Sequence, residues 1–344
     1  MKAFAADAYK PVGDFSALKE CELPKPTATG RDLLVQIKAV ATNPVDYKVL
    51  ANMGQGTDRP VPGGYLTVGY DAAGIVEAVG EEVSLFQVGD EVYFAGHMSR
   101  PGSFAEYTVV DERIVGRKPA NLSFREAASV PLTTLTAFEA LLEHLHIPRN
   151  PETNAAKTIL ISGGAGGVAS VAIEIAKKLL GLTVIATSSR DETAQKVKEL
   201  GADHVINHRQ AMPPQIRALG IDQVDYILCC ADLTPELLAD YSDILMVWGK
   251  MCTITPVPPS SNFMSFFMKS QSLAFELMFA RAGLRNEASK RQHEILQEAA
   301  TLLEDGILTC REGVSQPLNL ANLIEALELQ KSGQAIGKIT LYFP

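Results

Sequence analysis

Over roughly the first 115 residues, apolar positions fall in short runs punctuated by Gly, Pro and Asp. Residues 33–40, 74–80 and 88–94 read as strands, the last entered through the turn Gly89-Asp90. Many short strands parted by such turns predict a small, partly closed β-domain. Near Ser123 the pattern changes. Ser123 and Glu126 have capping-box spacing, and a helix-rich stretch follows to about His146. Strand-like runs at 157–162, 183–187, 204–207, 224–229 and 250–254 then alternate with helical spacing at 168–180 and 192–200, the latter stopped by Gly201. Strands separated by helices of this length predict parallel pairing with right-handed crossovers. The fold class is α/β: a β-rich domain plus a doubly wound parallel sheet.

Between the first strand of that sheet and its helix lies Gly164-Ala165-Gly166-Gly167-Val168-Ala169, a G-x-G-x-x-A match. A glycine hexapeptide alone says little, but strand before and helix after is the context that dinucleotide binding needs. Gly164 permits the tight turn. Gly166 and Gly167 let backbone N–H groups, with that of Val168, approach a pyrophosphate at the helix N-terminus. The second strand ends in Thr187-Ser188-Ser189-Arg190, without the Asp or Glu that usually holds the ribose 2′-hydroxyl of NAD. Two hydroxyls and a guanidinium suit a 2′-phosphate, so Ser188, Ser189 and Arg190 point to NADPH. The competing reading makes the serines a turn and leaves Arg190 solvated beside Asp191.

At 344 residues, 47% hydrophobic and 21% charged, the chain has room for two cores of ordinary globular character. A net charge of −9, with no dense basic block, disfavours a nucleic-acid partner. Asp7 interrupts the start before a signal-peptide apolar region forms. The longest uncharged stretch, 251–268, carries Pro256, Pro258 and Pro259, so no membrane span is expected. Cys21, Cys229, Cys230, Cys252 and Cys310 form no CxxC and read as reduced thiols of a cytoplasmic protein. No G-x-S-x-G is present, and Cys229-Cys230 falls on a strand read as buried, where thiols are usually inert.

Several fragments in order along the chain carry a resemblance. They are Asn43-Pro44-Val45-Asp46-Tyr47-Lys48, Gly69-Tyr70-Asp71-Ala72-Ala73-Gly74, and Val88-Gly89-Asp90-Glu91-Val92-Tyr93. Gly102-Ser103-Phe104-Ala105-Glu106-Tyr107, the glycine turn, Leu200-Gly201-Ala202-Asp203, and Ile336-Gly337-Lys338-Ile339-Thr340-Leu341 continue it. Over essentially its whole length the sequence resembles the medium-chain dehydrogenase/reductase superfamily, in its quinone-oxidoreductase-like branch, closest to the zinc-type alcohol dehydrogenase-like proteins. The resemblance implies a GroES-like catalytic domain (1–126 and 283–344), an inserted Rossmann domain (127–282), and an active site in the cleft. It also implies a homodimer formed by pairing edge strands, for which 272–277 is the candidate.

Zinc-dependent relatives place their ligands at positions that align with Asn43, Tyr70 and Leu132. A carboxamide, a phenol and an alkyl chain do not make a zinc site. The four-cysteine structural-zinc lobe is missing as well, only 96–103 standing in its place. No metal is therefore expected. The spacings His204/His208 and His144/His146 lack a third ligand nearby. Without a Lewis acid, reversible alcohol oxidation is hard to support, while an electron-poor acceptor delocalises the incoming charge itself. The expected activity is hydride transfer from NADPH to a small-molecule quinone or α,β-unsaturated carbonyl. Asn43, Tyr47 and Tyr70 are the candidate donors, Asp46 a possible orienting group, and Thr136 aligns with a nicotinamide-side contact of relatives.

Asn43 has a structural alternative, fixing the backbone before Pro44, and both tyrosines a packing one. The run 263–268, rich in Met and Phe, suits an acceptor pocket, core or dimer surface equally. The loop after Asn52 and the segment 256–268 set the size of the pocket. Two alternatives to the quinone or enone reductase stand. An enoyl-thioester reductase would need a basic rim, which the sequence does not display, and a non-catalytic NADPH sensor would bind without turnover.

Overall fold

The computed structural model describes residues 1–55 and 59–344; positions 56–58, part of the loop after Asn52, lie outside the described residues. The chain divides into two compact units, one of Met1–Leu132 with Phe279–Pro344 and one of Thr133–Met278.

The first unit is built on a seven-stranded sheet. Its path runs Val115–Arg117, Glu91–Phe94, Asp71–Val79, Asp32–Ala41, Lys338–Tyr342, Glu312–Pro317, and Tyr107–Asp111 also pairs with Asp32–Ala41. A three-stranded sheet orders Leu18–Glu22, Lys2–Ala6 and Leu66–Thr67. The long strand Asp32–Ala41 has three antiparallel neighbours, Asp71–Val79 along its length, Tyr107–Asp111 against 32–36 and Lys338–Tyr342 against 39–41, and two register shifts against Asp71–Val79 bend the sheet toward closure. Gly74 sits at the tightest crossing, where a Cβ would come within 2.2 Å of the Gln36 carbonyl oxygen. The helix Lys290–Glu304 lays Ile295, Leu296, Ala299 and Leu303 inward at helical spacing. Buried Tyr93 donates its hydroxyl to the Leu296 carbonyl at 2.6 Å.

The second unit is a six-stranded parallel sheet ordered His204–Ile206, Thr183–Thr187, Thr158–Ser162, Val224–Cys229, Leu245–Thr253, Ser272–Phe275. Its inner strands read as unbroken apolar runs because both faces are covered: Ile159, Leu160, Ile161, Val184, Ile185 and Ile227 are fully buried. Strand order reverses between Thr158–Ser162 and Val224–Cys229, a topological switch point of the Rossmann kind. The helix expected over 168–180 begins as Gly167–Glu174 and loosens into a π-turn at Ile175–Leu179, with Leu180 N–H reaching the Ile175 carbonyl. The strand expected at 250–254 starts earlier, at Leu245; its register against Val224–Cys229 shifts between Leu245 and Lys250, a stretch in which Trp248 adopts a left-handed φ of 65°. Ser272–Phe275 takes the sheet's edge. Among the described residues no helix is long and apolar enough to cross a membrane.

Candidate functional site

The glycine turn leaves the first strand of the parallel sheet at the switch point. Gly163 has φ +69°, and a Cβ on Gly164 would lie 2.9 Å from the Thr187 carbonyl oxygen. Gly163 N–H donates to Thr187 Oγ1 (3.0 Å) and Gly164 N–H to the Thr187 carbonyl (3.1 Å), so the turn is tied to the end of the second strand. The helix ladder starts with Ser170 N–H to the Gly166 carbonyl. The amides of Gly167, Val168 and Ala169 precede that bond, and Gly166 and Gly167 are exposed. A helix start of this kind is suited to an anion, and glycine at 164 lets the turn pack against Thr187, Val197 and Ala186.

At the end of the second strand the three candidate groups part company. Ser188 is buried, and its Oγ donates to the Arg190 carbonyl (3.1 Å) and meets Thr193 Oγ1 at 2.5 Å, organising the start of helix Asp191–Glu199. Ser189 is half-buried and Arg190 exposed. The outward-facing polar groups here are therefore Ser189 and Arg190, while the Ser188 hydroxyl works inward. Thr136 is buried in helix Pro131–Phe138.

In the first unit Asn43, Asp46, Asp71 and Lys338 meet in one buried network. Asn43 precedes helix Pro44–Leu50, and its backbone N–H donates to Asp46 Oδ2 at 2.6 Å. Asp46 Oδ1 accepts from Gly69 N–H at 3.2 Å. The Asn43 amide donates to Asp71 Oδ2 (2.8 Å), and its Oδ1 accepts from Lys338 Nζ (2.6 Å). Asp71 Oδ1 accepts from Leu132 N–H (2.7 Å) at the first turn of helix Pro131–Phe138. Burial pushes the Asp46 carboxyl up to about 7, opposed by its bond from Asn43 N–H and by the Lys338 charge.

Tyr70 lies between Gly69 and Asp71. Its ring is 1% exposed and stands edge-on to Phe279 at 5.1 Å, and its hydroxyl has no hydrogen-bond partner among the described residues. Burial, then the Asp46 charge, push the pKa of the phenol well above its ordinary value, so it stays protonated. Tyr47 is half-buried on helix Pro44–Leu50. Both ends of the Asn43 carboxamide are engaged inside the unit, its oxygen by Lys338 and one of its two N–H groups by Asp71. Asp71 and Lys338 went unmarked as site residues in sequence. Each stands in a recognisable motif, but neither spacing nor type indicates that they meet.

Among the described residues no three His, Cys, Asp or Glu side chains gather to hold a metal. The cluster at Asn43 does not fit zinc either, because the Lys338 ammonium already lies 2.9 Å from Asp71 Oδ2. His144 instead pairs with Glu276, Nε2 to Oε2 at 2.8 Å. Burial pushes the Cys230 thiol up, away from nucleophilic use. Of the run 263–268 only Phe266 enters the core, while Met264, Phe267 and Met268 are exposed.

Two family models match: the alcohol dehydrogenase GroES-like domain over residues 29–120 and the zinc-binding dehydrogenase domain over 167–292. A zinc-type alcohol dehydrogenase-like protein of Staphylococcus aureus is 37% identical over 324 residues, 94% of each chain. The NADPH-dependent alkenal/one oxidoreductase of Arabidopsis thaliana chloroplasts is 36% identical over 216 residues, 60% of this chain and 53% of its own. The crystal structure of a protein from Rhizobium etli assigned as a zinc-dependent alcohol dehydrogenase superposes with a TM-score of 0.92 at 41% identity, covering 99% of this chain and 98% of that one. With a GroES-like unit, a parallel Rossmann unit and full-length relatives, the chain belongs to the zinc-type alcohol dehydrogenase-like proteins of the medium-chain dehydrogenase/reductase superfamily, a superfamily of oxidoreductases.

Proposed function

We propose that this chain is an NADPH-dependent, zinc-independent reductase of α,β-unsaturated carbonyls or quinones. The observation that carries the reading is the buried Tyr70 hydroxyl, protonated and without a partner among the described residues. An unpaired buried donor costs stability unless something else is to use it. A carbonyl oxygen gathering negative charge is what a neutral phenol serves best. The alkenal/one relative supports this acceptor class and this cofactor.

NADPH, when bound, supplies the hydride. The chain's own groups do the rest. The amides of Gly167 and Val168, presented by the turn through Gly164 and Gly166, hold the pyrophosphate, and Ser189 and Arg190 the 2′-phosphate, with Ser188 setting the turn that presents them. Thr136 borders the nicotinamide. Tyr70 donates to the acceptor oxygen, with Tyr47 as the second donor. The acceptor gains the hydride at carbon or quinone oxygen and a proton ultimately from water, so the product is the saturated carbonyl or the quinol. Asn43, Asp46 and Asp71 position this donor set.

The thioester alternative gains nothing from the arginines that the fold collects. Arg31, Arg100 and Arg113 are each paired, with Glu112 (2.8 Å), Asp32 (2.7 Å) and Asp111 (2.6 Å), and present no net basic rim. The proposal extends to a homodimer. Ser272–Phe275 leaves one edge of the parallel sheet unpaired, flanked by exposed Trp248, Phe275 and Leu277, and a second copy of that edge would satisfy it.

The test follows nicotinamide absorbance with NADPH and with NADH against a panel of enones and quinones on chelator-treated protein. Turnover with NADPH that survives chelation is expected. Binding of NADPH with no turnover against any acceptor would replace the reductase by the sensor reading.

A further inference from the structure

A cavity of about 380 Å³ in the first unit is walled by charged side chains. Four of them are arginines, and three of those are locked in place by carboxylates. Arg100 forks onto Asp32 (2.7 and 2.8 Å), Arg113 forks onto Asp111 (2.9 and 2.6 Å), and Arg31 donates to the buried Glu112 at 2.8 Å. A guanidinium has five N–H groups. Each fork uses two, so three on Arg100 and three on Arg113 have no protein acceptor among the described residues.

The fourth guanidinium, that of Arg285, lines the same cavity with no hydrogen bond or ion pair among the described residues. Arg285 follows helix Phe279–Ala282 with a φ of 49°, a left-handed position where glycine is the usual residue. An arginine there carries a backbone cost that glycine would not, and the charge it brings is unspent. The remaining carboxylate of the wall, exposed Glu82, stays 3.9 Å from Arg31. The positive field reaches His97: burial, then the charges of Arg285 and Arg100, hold that ring below its ordinary value.

We propose that this cavity is a binding site for a small oxyanion, a carboxylate or phosphate group held by Arg285 together with the unspent N–H groups of Arg100 and Arg113. Forked guanidiniums match two oxygens of such a group. Asp32 and Asp111 fix two of the receiving side chains beforehand, so little order is lost on binding. One unpaired guanidinium suits a single small anion, in keeping with the lack of a basic rim, and the volume is at the lower end for small-molecule sites. The assignment does not depend on the reductase reading.

Calorimetric titration and thermal unfolding of the full chain with inorganic phosphate and, separately, malonate, at constant ionic strength against chloride, test the site. Saturable binding of at least one anion at millimolar concentration is expected, with Tm rising by about 2 °C or more at saturation. The anion that binds more tightly identifies the ligand as a phosphate or a carboxylate. R285Q should weaken binding at least tenfold. R285G should do the same, and because glycine suits a φ of 49° it keeps the loop in shape should glutamine disturb it. The glycine turn and Arg190 also present donors to an anion, so R190E is the control, and the anion should still bind it within twofold of wild type. Binding kept by both Arg285 variants, or no saturable binding of either anion, would overturn the assignment. Phosphate binding that R190E alone removes would place the anion at the glycine turn and count against the cavity.

Discussion

The hydroxyls of Ser188 and Thr193 meet at 2.5 Å, and both lie within hydrogen-bond distance of the Arg190 carbonyl, at 3.1 and 3.0 Å. The bend that ends the second strand is therefore built by side chains, and Arg190 projects from it. Cofactor selection and local stability should separate by residue. R190E is expected to weaken NADPH binding by about 10- to 100-fold, the worth of a charge-assisted contact, with little change for NADH. S188A should lower stability by about 1 kcal/mol and alter the NADPH/NADH ratio far less. Fluorescence titration and thermal melts on the two variants check this.

Removing the Tyr70 hydroxyl should move activity and stability in opposite directions. Y70F is expected to lower kcat by about 100-fold, as loss of one oxyanion donor does. The same change deletes a buried group with no partner, so stability should rise by roughly 1 kcal/mol. Y47F, at a half-buried position, serves as the comparison. A Y70F enzyme of undiminished kcat would remove the phenol from the chemistry.

Asp46 makes a prediction about pH. Its carboxyl is pushed up to about 7 in the folded chain, against an ordinary value of about 3.9 in an unfolded one. Between those values the folded state binds more protons than the unfolded, so this group's contribution to stability falls as pH rises through the window and is level above it. D46N lacks that titration. The stability deficit of D46N relative to wild type should therefore be largest near pH 4 and narrow toward pH 8, as unfolding across that range would show. A deficit that widens with pH would mean that Asp46 is held ionised.

The exposed edge of the parallel sheet predicts an oligomer. Phe275 is 57% exposed on the edge strand and Trp248 77% exposed on its neighbour. F275D should yield a monomer by light scattering while the fold, read by circular dichroism, is kept. A wild-type monomer at micromolar concentration would remove the proposed pairing.

What could be read in the sequence follows the range of each interaction. The glycine turn, the Ser123/Glu126 capping box and the inner strands are set by neighbours within a few positions. They appear where spacing places them, with Glu126 N–H on Ser123 Oγ and Ser123 N–H on Glu126 Oε2. The inward turn of Ser188 was hidden because Thr187-Ser188-Ser189-Arg190 looks the same whichever hydroxyl faces out. The strand expected at 250–254 extends back to Leu245 through Trp248, whose left-handed φ has no composition signal. The Lys338–Asp71 contact spans most of the chain, and nothing local distinguishes Lys338 from a surface lysine.

Strand Lys338–Tyr342 lies between Asp32–Ala41 and Glu312–Pro317 in the first unit's sheet. The ribosome makes the neighbour at Asp32–Ala41 some three hundred residues earlier. Until then the Ala39–Ala41 end of that neighbour lacks its partner on one flank and Asn43 and Asp71 lack their ammonium, while the inserted residues Thr133–Met278 already contain every strand of their own sheet. Folding order is thereby expected to run against synthesis, the middle of the chain closing first and the beginning last. Pulse proteolysis of stalled nascent chains ending before residue 338 should find the inserted unit protected and the N-terminal strands still cleavable.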